Sequence, residues 1–332
     1  MNSKINGIEY YLPEKVLYNK ELEELFPGWD SSKTESKIGI RQRHIADEDE
    51  TALDMAEKAC EKVLANFDKS KIDFLILCTQ SPDYFLPTSA CILQDRLGLS
   101  ENIGAYDFNL GCSGYIYGLA QAKGLISCGI AKNVLFVVSE TYSKHMYEKD
   151  VANRAIFGDG SAATIISAAD VERIHQFSFG TSGSGAENLI VKNGGMRNDK
   201  EISPEEIPYG TQSFYTSNHI YMNGPEIFNF TIEYVPKLVA NALAANNMSI
   251  DEIDYFIYHQ ANKFMLNYLR KKDKIPKDKF FIDMEETGNI VSATIPVALK
   301  KCIDKNIVTP GQKVMLVGFG VGYSWGATII TI

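Results

Sequence analysis

The chain has 332 residues, 45% of them hydrophobic and 23% charged, so it can bury the cores of about two domains and is not a disordered segment. Its 33 Lys and Arg against 42 Asp and Glu leave a net charge of −9, which excludes a general nucleic-acid or membrane-surface binder. No run of 18 apolar residues could form a membrane span, and MNSKINGIEYYLPEK lacks the apolar stretch of a signal peptide.

In chain order, apolar runs alternate with helical patterns, the grammar of an α/β protein. A helix is expected over 51–66, a buried strand at FLILC (74–78) and a helix over 88–97. The strand AYDFNL leads into a Gly turn with Cys112 and a helix over 114–130. Strands follow at NVLFVVSE (133–140) and AATIIS (162–167). Beyond them come a helix over 225–245 opened by Pro225, a strand at DYFIYH (254–259) and a helix over 262–272. The strand FFIDME, a Gly turn with Asn289 and a helix over 292–305 come next. Strands at KVMLVGF (313–319) and GATIITI (326–332) close the chain. The six cysteines form no CxxC pair and no zinc-ligand spacing with His, and a chain of this length needs no disulfides, so a reduced cytoplasmic protein is expected.

A weak repeat runs through these elements. KIDFLILCTQ (71–80) resembles EIDYFIYHQA (252–261), and the turn at Cys112 corresponds to the turn at Asn289. The expected domains are therefore two similar halves, 1–170 carrying Cys112 and 171–332 carrying His259 and Asn289. All three residues stand just past apolar strands, where ligands of α/β sheets gather.

Taken singly, each has a plain structural reading: a small core cysteine, a satisfied histidine, a helix-capping asparagine. Cys112 precedes a helix whose dipole favours a thiolate. Glycines at 114, 118, 124 and 129 suggest that this helix is buried against close neighbours. His259 suits proton transfer or oxyanion donation, and the Asn289 amide can donate to a developing negative oxygen. The glycines at 318, 320, 322 and 326 lie between two strands, which excludes a dinucleotide loop and suggests a turn with inward N–H groups. FGDG (157–160) is similar in kind, with an ordinary turn as its alternative. Residues 263–279 carry seven basic against two acidic side chains, a dock for an acidic partner or a solvated face.

Together, GIRQRHIA, GCSGYIYGL, FGDGSAA, HQAN, GNIVSATIP and GFGVGYSWGA, in this order, resemble the β-ketoacyl-acyl carrier protein synthase III family along nearly the whole chain. The resemblance implies a thiolase-like fold, two duplicated halves in an α-β-α-β-α sandwich. It implies a homodimer that uses no metal or redox cofactor, CoA or phosphopantetheine thioesters being substrates, with acyl carrier protein as partner. It implies that Cys112 accepts an acyl group while the backbone N–H groups of Cys112 and Val321 form the oxyanion hole. His259 and Asn289 then stabilise the enolate left when a malonyl thioester loses CO2. Phe157, Phe319 and Asn262 are the implied substrate pocket, and Phe85 and Leu86 match the family segment that closes the partner subunit's acyl pocket. Lys263, Arg270, Lys271, Lys272 and Lys274 are the expected carrier dock.

Several positions depart from the family pattern. Lys33 stands where housekeeping members carry a Trp that stacks on CoA, and Phe264 where an Arg is expected after HQAN. Val151 replaces another Arg, with Arg154 close by, and Pro225 replaces an Asn. Val321 replaces a Gly, and the polar stretch 183–216 is longer than in short members. The expected activity is decarboxylative Claisen condensation by a specialised member. The alternative is transfer of acyl-Cys112 to an alcohol or amine without carbon–carbon bond formation.

Overall fold

Two five-stranded sheets form the frame of the computed structural model, which describes residues 1–332 apart from the side chain of Lys33. In the first, the strands run in the order Asn2–Tyr11, Gly160–Ala169, Asn133–Glu140, Phe74–Cys78, Gly104–Phe108. In the second the order is Ile174–Thr181, Ser324–Thr331, Lys313–Gly320, Tyr255–Tyr258, Phe280–Phe281. Read this way, both sheets have the same directions: two antiparallel pairings followed by two parallel ones.

Side-chain alternation places each strand between two helical layers. Ile76 and Cys78 face the space between the sheets, while Leu75 and Leu77 face outward, onto the helix Ala52–Leu64. In the second sheet, Ile257 and Leu316 point inward, and Phe256, Tyr258, Met315 and Val317 pack outward with the helices Gly224–Ala245 and Lys263–Lys272. The helices Gly114–Ser127 and Thr294–Asp304 fill the middle layer and touch strands of both sheets. The result is the expected α-β-α-β-α sandwich.

Close packing explains two of the helix glycines. A Cβ on Gly118 would lie 2.0 Å from a ring atom of Phe136, and one on Gly114 would lie 2.4 Å from the Cys78 sulfur. Gly124 has open space, and Gly129 sits just past the helix end with φ +75°. The stretch 183–216 contributes the strand Leu189–Val191, which pairs antiparallel with Ile220–Met222 and brings Leu189 and Met222 to the central cavity.

Candidate active site

The parallel strands of both sheets end toward one region, and the turns beyond them supply the site. Cys112 follows the strand Gly104–Phe108 and precedes the central helix; His259 follows Tyr255–Tyr258; Asn289 follows Phe280–Phe281. All three line one cavity of about 140 Å³, together with Phe157, Met265 and Phe319. Each is nearly sealed from solvent: 6% exposed for Cys112, 2% for His259 and 4% for Asn289.

The turn carrying Asn289 is braced from both sides. Asn289 N–H donates to Ile156 O at 2.9 Å, and Gly158 N–H donates to Asn289 O at 3.1 Å. FGDG therefore ties the Asn289 turn to the first half through its backbone. Its Asp159 is buried and accepts from Ala46 N–H at 2.8 Å and Ser143 N–H at 2.9 Å. Val291 N–H donates to Asn289 Oδ1 at 3.0 Å, which fixes the amide so that Nδ2 is the free donor. Val291 has φ 53°, a left-handed conformation that costs a β-branched residue about 1–3 kcal/mol. That turn directs its N–H to Asn289 and its carbonyl to the Thr294 hydroxyl, 2.9 Å away.

Thr294 Oγ1 also lies 2.7 Å from His259 Nδ1. The hydroxyl has one proton: turned to Nδ1, it makes His259 Nε2–H a donor; turned to Val291 O, it leaves Nε2 as an acceptor. Asn289 Nδ2 is 3.5 Å from His259 Nε2, and the Phe319 ring stands edge-on to the imidazole at 5.7 Å. Burial pushes the imidazole down to about 3, so the ring is neutral.

At the nucleophile, the sulfur of Cys112 accepts from the backbone N–H groups of Val321 and of Cys112 itself. Of the two, Val321 lies in the Gly-rich turn after the strand Lys313–Gly320, and Cys112 lies ahead of the helix Gly114–Ser127. Gly320 is required here, because a Cβ would lie 2.8 Å from both Cβ and Sγ of Cys112. The expectation of a thiolate favoured by the helix dipole is reversed. Burial, then the nearby Glu140, push the Cys112 thiol up to about 12. A helix terminus typically contributes about 0.3–1 kcal/mol, too little to offset loss of water around the sulfur.

Among the expected pocket residues, Phe157, Phe319 and Asn262 line the cavity. Asn262 also caps the following helix, its Oδ1 accepting from Met265 N–H at 2.8 Å. Phe85 and Leu86, expected to close the pocket of a second copy, are 78% and 86% exposed on a loop of this chain, away from its own cavity. Among the expected docking residues, Lys263, Lys271, Lys272 and Lys274 are exposed. Arg270 is half-buried and spends its guanidinium on Ile275 O at 2.9 Å, closing the end of its own helix. Lys272 donates to Ile232 O. Phe264 is 59% exposed and packs on Phe228 with ring centroids 5.6 Å apart. Sequence reasoning missed Thr294, Val291 and Glu140, although Thr294 lies inside the quoted GNIVSATIP segment.

Two mixed sheets, a central helix layer and a Cys–His–Asn cavity at matching strand ends define a thiolase-like condensing enzyme. A profile described as 3-oxoacyl-[acyl-carrier-protein (ACP)] synthase III matches residues 106–183, and its C-terminal counterpart matches 243–332. A β-ketoacyl-[acyl-carrier-protein] synthase III from Clostridium perfringens is 34% identical over 336 residues, covering 100% of this chain and 99% of its own. A crystal structure of a 3-oxoacyl-(acyl-carrier-protein) synthase III superposes with a TM-score of 0.98 at 46% identity, covering both chains fully. A 3-oxoacyl-(acyl-carrier protein) synthase from Burkholderia xenovorans gives 0.91 at 33% identity, covering 100% of this chain and 94% of the other. The chain belongs to the 3-oxoacyl-[acyl-carrier-protein] synthase III family.

Proposed function

We propose that this protein condenses an acyl thioester with a malonyl-acyl carrier protein thioester, releasing CO2 and a 3-oxoacyl-carrier product. The observation that carries this reading is the convergence of Cys112, His259 and Asn289 on one buried cavity, with two backbone N–H groups at the sulfur.

In the first half-reaction the Cys112 sulfur attacks the thioester carbonyl, and the N–H groups of Cys112 and Val321 hold the oxyanion. The C–S bond of the donor breaks, and the proton of the Cys112 thiol leaves with the departing thiol. A thiol held near 12 is protonated at rest, so its proton is given up as the sulfur attacks. In the second, a malonyl thioester enters with its carbonyl oxygen toward Asn289 Nδ2–H and His259 Nε2–H. The Thr294 hydroxyl turns its proton to Nδ1 in this state. The C–C bond to the carboxylate breaks, CO2 leaves, and the enolate oxygen is held by two neutral donors. The carbanion attacks the acyl carbon, the C–S bond to Cys112 breaks, and the sulfur recovers a proton from solvent.

Neutral donors suit this step. An imidazolium would bind the malonyl carboxylate and stabilise the ground state, whereas uncharged donors act on charge as it develops. Simple acyl transfer to an alcohol or amine has less need of a second donor such as Asn289, which favours condensation. The departures at Phe264, Val151 and Pro225 support a specialised donor specificity. Val151 is 1% exposed and Phe264 belongs to an aromatic cluster with Phe228 and Tyr268, so neither place offers a charge to a CoA phosphate. Exposed Tyr84, Phe85 and Leu86 support a homodimer in which this loop is covered by the second copy.

The test is a panel of acyl-CoA and acyl-carrier thioesters, read by the mass of acyl-Cys112, followed by malonyl-carrier with CO2 and 3-oxoacyl product measured. Acylation with CO2 release and a 3-oxo product is expected. Acylation followed by ester or amide formation without CO2 would establish the alternative chemistry.

A further inference from the structure

Glu140 ends the strand Asn133–Glu140 with its side chain fully buried. No cation pairs with it among the described residues. Both carboxylate oxygens accept from Gln80 N–H, at 3.0 and 3.2 Å. Oε2 also takes the Ser81 hydroxyl at 3.2 Å, and Oε1 takes the Ser292 hydroxyl at 3.1 Å. A buried, unpaired carboxyl is costly, and an apolar side chain of similar volume would fill the space without that cost. Packing alone therefore does not account for it.

The bond to Ser292 crosses from one half of the molecule to the other. Ser292 follows Val291, the strained residue whose N–H holds Asn289 and whose carbonyl holds Thr294, the partner of His259. We propose that Glu140 is a positioning residue for decarboxylation, gripping Ser292 so that the 289–294 turn presents Asn289 and His259 to the malonyl thioester. This role rests on the condensing reaction given above. Glu140 touches no reacting atom; it acts through the turn.

The carboxyl is also an electrostatic neighbour of the nucleophile. Burial raises it to about 8, and the charge of Asp159 adds to the shift. In turn it helps raise Cys112, Cys78 and Tyr142. His145 lies beyond Ser81, with Nε2 3.3 Å from that hydroxyl. These are the titratable groups that surround it. Replacement by Gln keeps acceptor capacity for Ser292 and removes the charge.

The experiment uses Glu140→Gln, Glu140→Ala and Ser292→Ala in the full chain. Two half-reactions are followed: acyl-Cys112 formation by mass, and CO2 release from malonyl-carrier. Ser292→Ala and Glu140→Ala should slow CO2 release on the order of tenfold or more, as expected for a misplaced donor pair, without reducing acylation. Glu140→Gln should restore CO2 release, and should shift iodoacetamide labelling of Cys112 to lower pH, which Ser292→Ala should not. Ser292→Ala removes one hydroxyl from a small buried residue, so it carries the test if Glu140→Ala does not fold. An equal fall in both half-reactions, or unchanged CO2 release in Ser292→Ala, overturns the positioning role. A wild-type protein that acylates Cys112 yet releases no CO2 overturns the condensing reading itself, and the positioning role with it.

Discussion

Lowering the pH tests the neutral-donor chemistry at His259 directly. The imidazole is 2% exposed, touches the Thr294 hydroxyl and the Asn289 amide, and stands against the Phe319 ring. Loss of hydration moves it from 6.5 to about 3. That gap corresponds to about 5 kcal/mol against the imidazolium. At about pH 5.5 a free histidine would be mostly charged, whereas His259 would be charged in well under about 1% of molecules. CO2 release from a malonyl thioester should therefore show no acid limb near 6.5. Stability carries the opposite signature. The unfolded chain binds a proton below 6.5 and the folded one does not until about 3, so stability falls as pH falls through this window. The slope is about 1.4 kcal/mol per pH unit for this one group. Initial rates would be taken between about pH 5.5 and 8, with urea unfolding at each pH as the control. A half-maximal rate near 6.5 that moves or vanishes in His259 variants, in protein that remains folded, would refute the argument from burial.

Other perturbations separate the parts of the site. Gly320→Ala should suppress acyl-Cys112 formation in a folded protein, because its Cβ would press on the sulfur at 2.8 Å; intact-protein mass after exposure to an acyl donor checks this. Asn289→Asp keeps the acceptor for Val291 N–H but removes the amide donor, so CO2 release should fall about 10²–10³-fold while acylation continues. Limited iodoacetamide at neutral pH should modify the exposed Cys91 and Cys128 before the buried Cys112; peptide mapping that finds Cys112 first would show the thiol is not held down by burial. Reversing Lys271 and Lys274 to Glu should raise KM for an acyl-carrier donor, with the effect fading as salt rises, and should leave a small N-acetylcysteamine thioester little changed. Equal loss on both donors would mark the helix end as structural.

The frame of the fold was legible because the central strands are covered on both faces. FLILC and NVLFVVSE read as unbroken apolar runs, and the strands occupy Phe74–Cys78 and Asn133–Glu140 as expected. The edge strands Asn2–Tyr11 and Ile174–Thr181 escaped the pattern, since mixed burial gives them no continuous apolar signal. Cys112, His259 and Asn289 stood out for a related reason: each interrupts or follows an apolar strand at a place where the chain must turn.

What the sequence left open was set by distance through space. Nothing in the string NVLFVVSE says that its final Glu meets Ser292, 152 positions later, or that Thr294 faces His259. Arg270 looked like a docking charge and serves a carbonyl five residues on. The helix ahead of Cys112 argued for a thiolate, and the tertiary structure reversed it. Local sequence records which dipole a residue sits beside, but only the folded chain decides how much water remains around it. For charged groups in a sealed cavity, the loss of that water is the larger energy.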